Sequence, residues 1–380
     1  MKTAVWIYLF LFVAFFDLHA QFPMLSPFAL SLGAAPSFIG LIMGIYSITH
    51  IPGNLIAGYG IDRYGSKLFI AISLIAAGAL LLWQSQVTNP WQLLVIRSIS
   101  GFILAFLSPA CSALLAGLAK NLIQQGQLMS GKGLVQTLAS VVSPAVGALL
   151  VAKIGFQSSF ILLGIVLIAI GLAACFFIQD LPRVQLEKSV VEMPKSSFFA
   201  SIPWTFYSIP LALSCSQGIL FFELPLIPEQ SIMTSGLLFS IVSIGALCTL
   251  SLLFLNRYSP ALRNIIGIFA LALIFYAMAV RWPLPFVVYL FLIGACKGLL
   301  YPAIATFLTS ISKQGEYGKV FSMLSISYSV GAFLGPVLAG NFREILSPYY
   351  IAFLVLMLSS TLFPYGRFAV LPLFKREQRG

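Results

Sequence analysis

Long apolar runs that carry almost no charge are the feature that most constrains this chain. Only 8% of its 380 residues are charged and 60% are hydrophobic, whereas a typical soluble domain has about 25% charged residues. The hydrocarbon core of a bilayer is about 30 Å thick, and a helix that crosses it needs about 20 mostly apolar residues. The sequence therefore excludes a soluble domain and predicts a protein built from transmembrane helices.

Twelve runs of this length follow one another along the chain. They are predicted near residues 4–26, 36–60, 68–88, 91–117, 127–152, 157–178, 203–227, 233–255, 262–280, 284–310, 319–342 and 348–371. Strands of membrane barrels alternate in polarity, but Ile161–Ile178 is apolar throughout apart from glycine and cysteine. The predicted fold class is therefore an all-α membrane protein. Met1–Lys2 and the run behind it resemble a signal peptide, yet eleven further runs favour a retained first helix.

The distribution of Lys and Arg predicts the orientation, because basic loops stay on the cytoplasmic side. With the N-terminus inside, most of the 21 Lys and Arg residues fall in cytoplasmic segments, and only Lys153, Arg281 and Arg343 fall in outer loops. We therefore expect both termini in the cytoplasm and a location in the cell (plasma or inner) membrane. The net charge of +11 fits this topology and attraction to anionic lipid, so no nucleic-acid partner is predicted.

A polar segment divides the runs six and six, which predicts two bundles at 1–178 and 203–380 joined by a cytoplasmic linker at 179–202. The halves also repeat weakly, as many transporter folds do. Asn256-Arg257-Tyr258 matches Asp62-Arg63-Tyr64. In the first span of each half, Phe221–Leu224 echoes Phe15–Leu18. The sequence thus predicts two pseudo-symmetric six-helix bundles.

Three motifs carry a resemblance to a known family. The turn after the second span reads Gly58-Tyr59-Gly60-Ile61-Asp62-Arg63-Tyr64-Gly65-Ser66-Lys67, which resembles the signature loop of the major facilitator superfamily. Arg97-Ser98-Ile99-Ser100-Gly101 in span 4 and Ser143–Ala148 in span 5 resemble motifs of the family's twelve-span drug/proton antiporter branch. The resemblance covers the whole chain at the level of topology and implies a secondary transporter with the major facilitator fold.

The resemblance also implies a gating role for the signature loop, through Gly58, Asp62, Arg63, Gly65 and Lys67. Gly65 suits a turn with positive φ, and Gly58 suits close helix approach. In the family the Asp is held at the N-terminus of span 11, and the two basic residues would clamp the cytoplasmic face. The acid that the family usually provides at the end of span 4 is Gly117 here. The alternative is a basic cytoplasmic loop without gating work.

Further glycines and prolines are expected to set helix packing and bending. The Gly/Pro-rich stretches of spans 5 and 11 fit close contact, with proline kinks that allow the bundles to rock. The residues concerned are Pro144, Gly147, Gly335 and Pro336.

Charges inside the spans are the main functional candidates, because an unpaired charge at mid-bilayer costs about 2.5–3.5 kcal/mol. Asp17 and its counterpart Glu223 are predicted to couple protons, and Arg97 takes the coupling role that the resemblance implies. Lys297 needs a carboxylate partner or an anionic substrate, and we expect one of the two acids to face it. The alternatives are a hydrogen-bonded Asp17 between helices, Glu223 reaching the outer surface, and Arg97 as a helix-end anchor.

Aromatic side chains in a cavity would bind apolar or cationic ligands by stacking and cation–π contact. The predicted substrate contacts are Asp17, Tyr46, Phe221, Lys297, Tyr301 and Tyr328. His19 lies two residues after Asp17 and therefore on another face of the helix, as a helix contact or a second proton carrier. Lys132 lies near the end of span 5 and is expected to reach the cytoplasmic face.

These features together predict a transporter. The five cysteines lie inside spans at unrelated spacing, which indicates neither disulfides nor metal, and no catalytic constellation or cofactor motif is present. We expect a monomeric secondary active transporter that moves a small, amphipathic molecule by alternating access. Proton-coupled efflux is the first hypothesis. A proton symporter that imports a small anionic metabolite is the alternative, and a non-transporting membrane scaffold is the remote one.

Overall fold

The computed structural model describes residues 2–118, 122–178, 204–227, 231–252, 254–255, 258–311 and 317–362. Thirteen α-helices form in these ranges, and two short 3₁₀ turns (Trp204–Tyr207 and Leu224–Leu226) flank α8. The helices are α1 (Lys2–Ala20), α2 (Phe22–Ser31), α3 (Pro36–Tyr64), α4 (Ser66–Gln84), α5 (Pro90–Leu104), α6 (Leu107–Leu118), α7 (Leu122–Phe177), α8 (Ser208–Glu223), α9 (Ile232–Ser251), α10 (Pro260–Ala279), α11 (Phe286–Ile311), α12 (Tyr317–Phe342) and α13 (Pro348–Leu362). The predicted linker at 179–202 lies outside the described residues, so the domain boundaries stay a prediction.

The described helices account for the twelve predicted crossings. Ten stretches are long and apolar enough to cross a membrane. One of them, Gly131–Phe177, has 47 residues, which is about twice the length of a span, and its helix breaks at Gly155, where φ is 79°. That stretch therefore supplies two crossings, and the shorter apolar helix α13 supplies the twelfth.

Two crossings consist of two helices each, where the sequence predicted continuous runs. The first crossing changes from α1 to α2 at Gln21, and the fourth changes from α5 to α6 at Ala105–Phe106. A proline has no N–H to donate to the carbonyl four residues earlier. Pro23 and Pro109 stand two and three residues after these junctions, so each junction has a local cause.

Large apolar side chains cover the outer surface of the bundle. Phe176 is 81% exposed, Val5 is 65% exposed and Leu358 is 63% exposed. In water, extensive apolar exposure of this kind marks a surface that another phase must cover. Contact with lipid tails accounts for it here, as the apolar runs predict.

The turns define two ends of the bundle. The turn between α2 and α3 contains Gly33, with φ of 84°, and the break at Gly155 lies at the same end. The turn between α3 and α4 contains Gly65, with φ of 91°, at the opposite end. We call these the Gly33 end and the Gly65 end. Glycine adopts positive φ without steric cost, so both tight turns follow from the sequence.

The two halves pack closely at the Gly33 end. Gly40 of α3 lies against the backbone of Pro336 in α12, and Gly340 of α12 lies against the backbone of Pro36. At a second contact between the halves, Gly236 of α9 lies against the backbone of Pro144 in α7. A Cβ at any of these three glycines would collide with the facing helix. Small residues thus allow the halves to approach closely, as in other membrane helix pairs.

Among the described glycines, close contacts nearer the Gly65 end stay within one half. Gly101 packs on Tyr46, Gly131 packs on the ring of Tyr8, and Gly298 packs on Ala246. The predicted packing positions Gly147 and Gly335 also lie against neighbouring backbones, those of Ala20 and Cys215. The seam between the halves is therefore tight at one end of the bundle. Bending at the predicted hinge positions stays a prediction.

Candidate functional site

A hydrogen-bonded chain links an acid and a base inside the first half. Gln21 donates from Nε2 to Asp17 Oδ2 over 3.0 Å, and Arg97 donates from Nη1 to Gln21 Oε1 over 3.1 Å. All three side chains are buried, with exposures of 2–4%. The amide of Gln21 thus relays the interaction between the carboxylate and the guanidinium, which the sequence predicted as members of one site.

Gln21 is the member of this hydrogen-bonded network that was not predicted from the sequence. It lies four residues after Asp17, so the two side chains share a face of the first crossing. Gln21 is also the junction between α1 and α2. The available signal was a second polar residue at helical spacing from Asp17 in a run that is otherwise largely apolar.

Tyr46 forms one wall of this cluster. The Arg97 Cζ atom lies 4.7 Å from the centroid of the Tyr46 ring, which is within the range of a cation–π interaction. The Tyr46 ring lies 5.6 Å from the ring of His50, and His50 Nδ1 is 3.0 Å from the carbonyl oxygen of Gly101. This neighbourhood fixes the tyrosine beside the guanidinium.

Two side-chain atoms of the Asp17–Gln21–Arg97 network could each make a further hydrogen bond. In the part of the chain that the structure describes, Asp17 Oδ1 and Arg97 Nε are buried without a hydrogen-bond partner. Leaving a buried donor or acceptor unmade is costly. A carboxylate oxygen in this state is suited to accept a proton or a donor group of a ligand.

The second half carries a different polar cluster. The Tyr301 hydroxyl donates to Gln217 Oε1 over 2.9 Å, and the Tyr301 and Tyr328 rings lie 5.6 Å apart. The Ser214 hydroxyl donates to the carbonyl of Tyr328 over 2.7 Å. The two predicted tyrosine contacts are thus brought together on α11 and α12, facing α8.

Lys297 of α11 faces an aromatic ring rather than an acid. Its Nζ atom lies 5.8 Å from the centroid of the Phe221 ring. The expectation that Asp17 or Glu223 faces this ammonium is wrong. Asp17 binds Gln21, and Glu223 forms an ion pair with Arg343 at 3.2 Å.

The position of Glu223 explains this difference. It is the last residue of α8, close to the Gly33 end, where the chain leaves α12 and presents Arg343. Arg343 also donates to the Leu226 carbonyl over 3.1 Å and so holds the 3₁₀ turn that follows α8. Lys297 contacts Phe221, which lies two residues before Glu223 and therefore on another face of α8. The Glu223 carboxylate binds Arg343 rather than Lys297. A coupling role for Glu223 stays a prediction.

The predicted gating loop is described in part. Gly65 has the positive φ that the sequence predicts, and its N–H donates to the Ile61 carbonyl over 2.9 Å. The Arg63 guanidinium lies 5.3 Å from the ring centroid of Tyr64, and Lys67 is half-buried. The surroundings of Gly58 and Asp62 lie outside the described part of the structure, so the cytoplasmic clamp stays a prediction.

Lys132 binds hydroxyl groups of the fourth crossing. Its Nζ atom donates to Ser108 Oγ over 2.9 Å and to Ser112 Oγ over 2.6 Å. The lysine is only partly exposed. Neutral oxygens, rather than a carboxylate, thus satisfy this ammonium inside the bundle.

Comparisons with known proteins agree with the fold. The model of the major facilitator superfamily matches residues 7–280 and 263–379. A protein named multidrug resistance protein MdtG from Salmonella paratyphi A is 26% identical, with 88% of this chain and 87% of that protein covered. The protein of the same name from Yersinia enterocolitica is 25% identical, with 77% of this chain and 74% of that protein covered.

Solved structures with a similar fold are also transporters. The nucleoside transporter NupG has a TM-score of 0.73 at 17% identity, with 95% of this chain and 97% of that chain covered. An inward-facing, occupied bacterial homologue of the human lysosomal transporter Spinster has a TM-score of 0.75 at 14% identity, with 94% and 95% covered. At these identities the likeness shows the fold alone.

Proposed function

Because this chain belongs to the major facilitator superfamily and is a membrane transporter rather than an enzyme, we propose that it exports small amphipathic molecules in exchange for protons. The observation that carries the proposal is the buried chain from Asp17 through Gln21 to Arg97. The relatives named as multidrug resistance proteins support export. The protein is expected to act as a monomer.

Asp17 is the proton carrier of the proposed mechanism. Its ionised form is balanced by the guanidinium of Arg97 at the other end of the Gln21 relay. Protonation removes the negative charge and leaves Arg97 uncompensated in a buried setting, where charge is costly. The two protonation states therefore favour different arrangements of the bundle. A transporter can use this difference, because a ligand shifts a conformational equilibrium only by binding one state better.

Alternating access is supported by the uneven seam between the halves. Close glycine contacts such as Gly40 with Pro336 and Gly236 with Pro144 lie toward the Gly33 end. With both termini in the cytoplasm, as the basic residues favour, this end faces outward and the conformation is inward-facing. The halves would rock until the Gly33 end opens and the Gly65 end closes.

Import remains the second candidate, because one observation favours it. Lys297 has no carboxylate partner among the described residues, which suits an anionic metabolite. A symporter would move protons and substrate in the same direction. The sign of proton movement therefore decides between the two candidates.

Proton flux in proteoliposomes tests the proposal. Purified protein would be reconstituted with an internal pH dye and given lipophilic cations, neutral drugs and organic anions. We expect a substrate gradient to drive protons in the opposite direction in wild type, and we expect Asp17→Asn to abolish this movement. Glu344→Gln is the matched control, since Glu344 is an exposed acid outside the cluster. Proton movement with the substrate would favour import, and substrate movement without protons would indicate a facilitator.

A further inference from the structure

Lys297 is a cation inside the bundle that pairs with no acid among the described residues. Within the described part of the chain it makes neither a hydrogen bond nor an ion pair, and its Nζ atom lies 5.8 Å from the Phe221 ring centroid. The two acids inside the spans are engaged elsewhere, Asp17 with Gln21 and Glu223 with Arg343. Because an isolated charge at membrane depth is costly, an anionic ligand is the natural partner for this ammonium.

His19 presents a second polar group from the opposite half. Its Nδ1 atom lies 2.7 Å from the Phe15 carbonyl oxygen. A carbonyl only accepts, so Nδ1 carries the proton of this hydrogen bond. In the neutral ring the Nε2 atom is then an acceptor, and it donates to an oxyanion only after the ring takes up a proton, which an anion bound beside it favours. His19 and Lys297 both lie against one group of phenylalanine rings, which connects the two halves.

A cluster of three phenylalanine rings connects these two groups. The His19 ring lies 5.4 Å from the Phe22 ring in an edge-on arrangement, and Phe22 lies 4.4 Å from Phe221. Phe239 closes the cluster at 5.2 Å from Phe221 and 6.4 Å from Phe22. Phe22 belongs to the first half, whereas Phe221 and Phe239 belong to the second. The partly exposed faces of Phe22 and Phe221 offer stacking surface to an apolar body.

We propose that Lys297 and His19 form the headgroup site for an amphipathic organic anion whose apolar body lies on Phe22 and Phe221. The site names the substrate class of the exporter and so rests on the proposed function. It needs both halves, since Lys297 comes from one and His19 from the other. A bound anion would therefore hold the two bundles together.

The remaining polar groups of the spans agree with an anionic ligand. Arg97 is balanced by Asp17 through Gln21, and Lys132 is held by serine hydroxyls without an acid. The excess charge inside the bundle is thus positive. A cationic substrate would meet repulsion at Lys297, which disfavours it on electrostatic grounds.

Binding of three ligands that differ only in charge tests this proposal. The probes are naphthalenes that carry a carboxylate, a carboxamide or an aminomethyl group, and binding to purified full-length protein would be followed by calorimetry. We expect wild type to bind the carboxylate best and the ammonium compound worst. Lys297→Gln should weaken carboxylate binding about 10- to 100-fold, the range for a hydrogen bond to a charged group, with little effect on the carboxamide.

Two further variants sharpen the test. His19→Gln keeps a hydrogen-bonding side chain without the ring, and we expect a smaller loss than at Lys297. Lys153→Gln removes the same charge from an exposed position beside the Gly155 break and should change nothing. Equal binding of all three probes, preference for the ammonium compound, no carboxylate binding by folded wild type, or an unchanged affinity in Lys297→Gln would each overturn the proposal.

The outcome is independent of proton coupling. Carboxylate binding that moves no protons in vesicles would leave the anion site standing and remove the coupling mechanism. An ammonium compound that exchanges for protons would do the reverse. If Lys297→Gln fails to fold, the preference of wild type among the three probes still decides.

Discussion

The polar groups of the two halves use equivalent helices in different ways. In the first half, Asp17 accepts a hydrogen bond from Gln21 of the same crossing, and Gln21 accepts one from Arg97 of the fourth. In the second half, the first and fourth crossings meet through the hydrogen bond from Tyr301 to Gln217, and Lys297 has no acidic partner in the described ranges. One half therefore holds a balanced pair that a single proton unbalances. The other holds a positive charge that a ligand can balance, which suggests a division between proton carrier and substrate site.

The largest effect is expected from Gln21→Leu, which breaks the balanced pair at its centre. Two hydrogen bonds to charged groups are lost, and each contributes about 1.5–3 kcal/mol. The free energy of unfolding of the variant should therefore fall by about 3 kcal/mol or more. Thermal unfolding in detergent can be followed with a thiol-reactive dye, since Cys111 and Cys215 are free and buried.

The matched control for that substitution is Gln84→Leu. Gln84 is equally buried, but its Nε2 atom has no hydrogen-bond partner in the described part of the chain. Replacing such a group by an apolar one of similar shape is close to neutral. Equal losses in the two variants would mean that the relay through Gln21 contributes nothing specific.

A smaller effect is expected at the seam between the halves. Gly40→Ala introduces a Cβ against the backbone of Pro336, and overpacking of this kind costs about 1–3 kcal/mol. The clash exists only while the Gly33 end is closed, so the variant should favour the outward-open state. In a background without native cysteines, the substitution Phe22→Cys provides a labelling site. This thiol should react faster with an impermeant reagent from the outer side when Gly40→Ala is also present.

Gly133→Ala is the control for Gly40→Ala, because a Cβ at Gly133 meets nothing within 4 Å. Its labelling rate should match that of the unmodified background. If both alanine variants label alike, the closed seam is not what holds this conformation.

Glu223→Gln separates a structural acid from a coupling acid. Glu223 is buried but Arg343 is partly exposed, with side-chain exposures of 11% and 27%. The arginine that remains in Glu223→Gln can therefore be hydrated, and we expect a loss of about 1 kcal/mol in the free energy of unfolding. We expect a lower unfolding temperature with substrate-driven proton flux retained. Glu344→Gln removes the neighbouring exposed acid and should leave the unfolding temperature unchanged. Lost proton flux in Glu223→Gln would support the coupling role that the sequence predicts for this residue.

The smallest effects are expected at the tyrosines, and they differ between the halves. Tyr46 contacts Arg97 through its ring, so Tyr46→Phe should leave transport affinity unchanged. The Tyr301 hydroxyl donates a hydrogen bond to Gln217. We expect the removal of this hydroxyl to cost about 0.5–1.5 kcal/mol of substrate-binding free energy. Substrate affinities measured by calorimetry would show a change of several-fold in Tyr301→Phe alone. The reverse order would mean that the assignment of ring and hydroxyl roles is wrong.

Much of the fold could be predicted from the sequence, because bilayer thickness sets span length and the apolar runs repeat that length. The positive φ at Gly65 followed from the tight turn. Asp17 was identified from the cost of a charge inside a membrane, and Arg97 from the resemblance of its motif to the family. The broken crossings at Gln21 and Ala105 were not predicted. Their cause is local proline chemistry, which a search for apolar length does not weigh.

Partners across helices could not be predicted in the same way. The sequence places Glu223 and Lys297 inside spans but gives neither their relative depth nor the direction in which each side chain points. Arg343 was assigned to an outer loop, and yet its long side chain reaches back to Glu223 and the carbonyl of Leu226. Such contacts depend on how crossings tilt and pack, which is a property of the assembled bundle.

Proton release on substrate binding tests the central claim most directly. Purified protein in weakly buffered detergent solution would be mixed with a transported substrate, and a pH dye would report the protons released per protein. The account predicts release from wild type and from Glu223→Gln, and none from Asp17→Asn. Release that persists in Asp17→Asn and disappears in Glu223→Gln would contradict it.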